Sequence, residues 1–201
     1  MTGLFVSFAE RLARIPIIVL FGAAALIQVA LLGAMVVDRA SILRNGTEVM
    51  LLTRPIDPRD LLRGDYVVLG YDISQLPAGP LQNQPVGSRT VFVKLAPNSE
   101  GLYGAVSVHA EAVPVTSPEV LIRGRVAYGA SCGPDSRAFC DKLQIRYNLE
   151  QYFVPEGEGK KLEEARNQRK LTVVAAVLPS GRAAIKRLLL DGQPVYEEPW
   201  F

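Results

Sequence analysis

Ile15-Pro16-Ile17-Ile18-Val19-Leu20-Phe21-Gly22-Ala23-Ala24-Ala25-Leu26-Ile27-Gln28-Val29-Ala30-Leu31-Leu32-Gly33-Ala34-Met35-Val36-Val37 carries no charge, and Gln28 is its one strongly polar side chain. Helical residues rise about 1.5 Å each, so about 20 of them cross a hydrocarbon core of about 30 Å. Pro16 stands at the start, where a helix tolerates a missing N–H. A buried core helix rarely stays uncharged over such a length. A cleaved signal peptide has a shorter apolar run, about 7–15 residues, followed by a small-residue cleavage site. Here the run is longer, and its exit reads Val36-Val37-Asp38-Arg39. The stretch therefore reads as an uncleaved signal anchor. It divides the chain into an N-terminal segment 1–14, a transmembrane anchor 15–37 and a domain 38–201, long enough to bury a sizeable core.

Charge sets the expected orientation. Arg11 and Arg14 outweigh Glu10 before the anchor, whereas Asp38 and Arg39 cancel after it and Arg44 adds one positive charge. The positive-inside tendency then puts residues 1–14 in the cytoplasm. The domain is expected on the extracytoplasmic, periplasmic side of the inner membrane. Cys132 and Cys140 share the Gly/Pro/Ser-rich loop Gly129–Asp141 between two strand-like runs. In an oxidising compartment they are a candidate disulfide; free thiols are the alternative. No metal site is expected, because His109 is the only histidine and two thiolates do not close a zinc site. The net charge is +2 with no basic stripe, so no nucleic-acid partner is expected.

The domain is punctuated as a series of short strands. Expected strands are Glu48–Thr53, Tyr66–Ile73, Thr90–Leu95, Leu102–Val108, Val120–Tyr128, Leu143–Tyr147, Leu171–Leu178 and Ala183–Leu190. Pro179-Ser180-Gly181 and Asp191-Gly192 are turns, and Leu76–Gly87, rich in Pro, Gly, Gln and Asn, reads as a loop. In Tyr66–Ile73, Val67, Leu69, Tyr71 and Ile73 share one face, with Tyr66, Val68 and Asp72 on the other. Lys160–Lys170 is the one good helical stretch, with Leu162 and Ala165 as its inward contacts. The fold class is mainly antiparallel β, barrel or sandwich undecided, with one short helix, preceded by a single N-terminal transmembrane helix.

The most specific string is Gly64-Asp65-Tyr66-Val67-Val68-Leu69-Gly70-Tyr71. Before it, Asp57, Pro58, Asp60 and Gly64 are placed to cap a single helical turn. The string fills every fixed position of Gly-Asp-Tyr-x-x-Leu-x-Tyr, and the chain resembles the GDYXXLXY family of membrane-anchored bacterial proteins. The approach Pro55–Arg63 and the later Tyr152-Phe153-Val154-Pro155-Glu156-Gly157 look similar too. The resemblance implies one N-terminal membrane helix and an integral membrane protein as partner. It supplies no activity.

Capping and a core face account for much of the motif, which leaves Arg59, Arg63, Asp65, Tyr66 and Tyr71. Such a cluster can bracket a turn to a strand, or hold a polar ligand or a partner carboxylate through charge-assisted hydrogen bonds. Tyr147, Glu150, Tyr152 and Glu156 form a second polar-aromatic group, either a strand with an exposed tyrosine face or a binding surface. Arg59, Arg63, Asp65, Tyr66, Tyr71 and Glu156 are therefore the candidate binding residues. No catalytic set and no cofactor motif is complete. A lone His109 on a strand is commonly a hydrogen-bonding residue, and Glu158-Gly159-Lys160 lacks the rest of a phosphate loop. The leading expectation is a non-enzymatic accessory or binding module in the lipid bilayer. The alternatives are a tethered hydrolase using Asp65 with Ser41 or His109, or a small-ligand sensor using Arg59, Arg63 and Asp65.

Overall fold

A computed structural model describes residues 16–56, 66–77, 90–128 and 142–199. The expected helical turn at Asp57–Gly64, the Cys132–Cys140 pair and most of the Leu76–Gly87 loop lie outside these residues. The chain divides after Ala40 into an apolar helical unit and a folded unit that begins at Ser41.

Helix α1 spans Ile17–Asn45. Among the described residues it is the one helix long and apolar enough to cross a membrane. It runs beyond the apolar stretch because its last turn has a packing surface of its own. Ile42 and Leu43 are buried against Ala176 and Ala184. Gly46 follows at a point where no side chain fits. A β-carbon there would lie 2.7 Å from the Ile42 carbonyl oxygen and 2.8 Å from the Val177 nitrogen.

The folded unit consists of antiparallel sheets. Strands β1 (Thr47–Arg54), β3 (Gly70–Tyr71), β10 (Leu171–Val177), β11 (Ala183–Leu190) and β12 (Gln193–Glu197) form one sheet in the order β12-β11-β10-β1-β3. Strands β4 (Gln75–Pro77), β5 (Thr90–Pro97), β6 (Tyr103–His109), β7 (Val120–Tyr128) and β8 (Lys142–Arg146) form a second, ordered β4-β8-β7-β5-β6. Strands β2 (Tyr66–Val68) and β9 (Gln151–Phe153) pair separately. No closed barrel forms: both five-stranded sheets are open.

One core serves both sheets. Alternation sends Val49 and Leu51 of β1, Val173 and Ala175 of β10, Val91, Val93 and Leu95 of β5, and Ile122 of β7 into it. Each side chain of this size contributes about 1.5–3 kcal/mol on burial, an upper estimate because the unfolded chain already hides some surface. The sheets are joined at the β10–β11 turn, where the Arg123 N–H donates to the Gly181 carbonyl at 2.8 Å. Gly181 has φ +81°, and a β-carbon there would lie 2.9 Å from the Arg123 nitrogen. The Asp191-Gly192 turn also has both φ values positive, +48° and +81°, as a tight hairpin requires.

Three local expectations are corrected. Tyr66–Ile73 is not one continuous strand: the chain changes partner at Leu69, from β9 to β1, and closes with the 3-10 turn Asp72–Ser74. The inward parity nevertheless survives, with Val67, Leu69, Tyr71 and Ile73 all buried. Leu76 and Pro77, expected in the loop, belong instead to the edge strand Gln75–Pro77 on β8, a place where proline is tolerated. The exposed tyrosine face is absent, because Tyr147 and Tyr152 are both buried. The alternation runs from Leu143 through Leu149, across Asn148, and slips by one residue at Glu150–Gln151, so Tyr147 and Tyr152 both face inward although they are five residues apart.

Candidate functional site

The site is organised by the described part of the motif. Tyr66 and Val68 register against Phe153 and Gln151, and the Leu69 N–H donates to the Glu150 carbonyl at 2.8 Å. Gly70 and Tyr71 then pair with Arg54 and Thr53. The motif strand thus stitches β9 to β1. Tyr66 is half-buried, its ring tilted at 50° to the Phe153 ring with centroids 6.2 Å apart. Tyr71 is fully buried, and its hydroxyl donates to the Leu149 carbonyl at 2.5 Å. The Tyr147 hydroxyl donates in the opposite sense, to the Ile73 carbonyl at 2.7 Å. Burial drives both phenols well above the usual tyrosine range, and the nearby Glu150 carboxylate adds to the shift.

Arg166 is the functional-scale residue that sequence reasoning missed. It lies on α2 (Gly159–Asn167) and is fully buried with Leu162 and Ala165. Its Nη1 donates to the Val68 carbonyl, and its Nη2 donates to the Ile56 carbonyl at 3.3 Å. Asn167 Oδ1 accepts from Nε at 3.2 Å and from Nη2 at 3.1 Å. One guanidinium therefore clips both flanks of the segment that leads into the motif. No ion pair neutralises it among the described residues; burial lowers its pKa, and Glu163 partly restores it. A signal existed: positions 162, 165 and 166 share one helix face by i, i+3, i+4 spacing.

Between β1, the motif strand, β8 and β9 lies a partly open cleft of about 830 Å³, within the range of small-molecule sites. Arg54 and Arg146, the last residues of β1 and β8, line it together with Gln75, Gln144, Asn148 and Gln151. Ile56, Leu69 and the strongly exposed Phe153 supply apolar wall. Gly70 keeps the wall thin, since a β-carbon would lie 2.5 Å from Ile56 Cδ1 and 3.2 Å from Arg54 Cγ. Glu150 also lines the cleft, and its Oε1 accepts the Tyr147 N–H at 2.5 Å. Ser74 lines it too, and its buried Oγ has no hydrogen-bond partner among the described residues.

A family model described as GDYXXLXY protein matches residues 28–188. The chain belongs to this family. No curated protein and no solved structure matches it. Of the GDYXXLXY motif positions, Tyr66, Leu69 and Tyr71 are described, and all three take part in the packing that joins β9 to β1. The candidates Arg59, Arg63 and Asp65 lie outside the described residues. Glu156 is exposed, in the turn before α2. The residues proposed for hydrolysis have ordinary partners. His109 Nε2 lies 2.8 Å from Ser107 Oγ, and Ser41 Oγ accepts from Asn45 Nδ2 at 3.3 Å. Among the described residues no hydrogen bond joins either to a carboxylate. Nor are three His, Cys, Asp or Glu side chains grouped there to hold a metal.

Proposed function

We propose that this GDYXXLXY protein is a membrane-anchored binding module that works with an integral membrane protein. Residues 1–14 lie in the cytoplasm, 15–37 cross the inner membrane, and 38–201 form the periplasmic domain. The observation that carries the binding role is the cleft beside the motif strand. Its polar lining consists of two arginines without ion pairs among the described residues, several amides, and a carboxylate engaged by a backbone N–H. That lining suits holding a ligand or a partner side chain better than moving protons. The flank charges around the apolar helix support the orientation. Arg59, Arg63, Asp65, Tyr66 and Glu156 supply the partner contact, and Cys132 and Cys140 pair in the oxidising compartment.

The test is recovery of full-length tagged protein in mild detergent, with mass spectrometry of what accompanies it. Arg63→Ala and Tyr66→Phe run in parallel. A stoichiometric integral membrane protein, lost in the variants, is the expected result. Recovery of the protein alone removes the partner. Labelling of a cysteine introduced after Glu197 by a membrane-impermeant reagent, in intact spheroplasts, checks the orientation.

A further inference from the structure

The cleft between β1, β8 and β9 has a specific chemistry. Arg54 and Arg146 reach it from two different strand ends, and neither guanidinium has an ion pair or hydrogen bond among the described residues. Guanidinium groups present planar pairs of donors that match an oxyanion, and a carboxylate can be held by both at once. Glu150 is the single acid on the lining, so the cleft carries net positive charge. The other wall is apolar. Phe153 is 77% exposed on the strand that borders the cleft and leaves apolar ring surface open beside it.

We infer that this cleft binds a small amphipathic organic carboxylate. Arg54 and Arg146 grip the anionic head, and Ile56 and Phe153 cover the apolar body. The inference rests on the binding-module reading and adds the chemical class of its ligand. It needs none of the charged residues of the 57–65 segment.

The experiment is calorimetric titration of the full chain in nanodiscs of zwitterionic lipid, with empty nanodiscs as blank. The probes are N-acetylphenylalanine, its neutral amide and inorganic phosphate. The acid should bind at least tenfold more tightly than either the amide, which lacks the charge, or phosphate, which lacks the apolar body. Arg54→Gln and Arg146→Gln should each weaken the acid about tenfold and leave the amide unchanged, with melting temperatures equal to the parent's. Equal binding of acid and amide overturns the proposal, as do absence of binding, tighter binding of phosphate, and arginine variants that bind the acid like the parent. Loss of the ligand alone, with the membrane partner still recovered from detergent, would remove the carboxylate and leave the binding module standing.

Discussion

Tyr71 and Tyr147 form a reciprocal clasp. Each hydroxyl donates to the carbonyl two residues beyond the other tyrosine, Tyr71 to Leu149 and Tyr147 to Ile73. Both rings are buried, so neither carbonyl has water as an easy substitute. Tyr71→Phe and Tyr147→Phe should each cost about 1–3 kcal/mol, the penalty of leaving a buried acceptor unpaired. The double variant should deviate from additivity, since the two bonds hold the same pair of segments together. Urea denaturation of the four proteins measures this. Tyr103→Phe is the control: its hydroxyl bonds to Pro118 at an exposed position, and a loss of at most about 0.5 kcal/mol is expected there.

Alkaline titration tests the same clasp without mutation. Both phenols are held above the ordinary value of 10.0 by burial, then by Glu150. A raised folded-state pKa means that this contribution to stability is complete below pH 10 and declines as the pH climbs from there toward the folded-state values. Tyrosinate absorbance should therefore show Tyr71 and Tyr147 ionising only with global unfolding. Free titration of all seven tyrosines near pH 10 would contradict the burial.

Arg166→Met should destabilise the domain by about 3 kcal/mol, because the Val68 and Ile56 carbonyls lose their charged donor together. Arg166→Lys should recover only part of this. An ammonium is a point donor on a flexible stem and cannot span both carbonyls as the planar fork does. Hydrogen exchange adds a discriminating readout: protection should fall first in β2 and β9, the strands nearest the clip.

Glu48 should make stability fall in acid. Its pKa is lowered below 4.5 chiefly by the hydrogen bond from Lys186, against a desolvation effect that raises it, with Arg187 helping to lower it. A lowered folded-state pKa gives stability that is complete above 4.5 and disappears as the pH falls through the folded value. The Glu48 side chain is 40% exposed, so solvent screening limits the contribution to about 1 kcal/mol or less. Glu48→Gln should be that much less stable at pH 7, and the difference should shrink as the pH falls below 4.5 and through the folded-state value, in low salt.

Gly46→Ala should cost about 1–3 kcal/mol through overpacking. The added methyl meets backbone atoms of Ile42, Ala176 and Val177, which cannot swing aside. Gly70→Ala should cost less, since its nearest neighbours are the flexible side chains of Ile56 and Arg54. Paired thermal melts rank the two.

Local periodicity determined much of this protein from sequence alone. An uncharged run such as 15–37 has few alternatives to a long apolar helix. Strand-like runs bounded by turn residues located β7 and β11 to the residue, and the burial of Val67, Leu69, Tyr71 and Ile73 followed from their spacing. The family was equally legible, because eight contiguous residues, Gly64 to Tyr71, carry its signature. Tertiary structure decided what depends on contacts distant along the chain. The switch of strand partners at Leu69 depends on β9 and β1, which no local pattern joins. The burial of both Tyr147 and Tyr152 depends on a one-residue slip of the alternation after Leu149, where the chain leaves β8 for β9. Arg166 is buried because two carbonyls from more than ninety residues upstream converge on it, a convergence that helix periodicity does not contain. The cleft was invisible for the same reason: Arg54, Ser74 and Arg146 stand far apart in sequence and meet only when the sheets assemble.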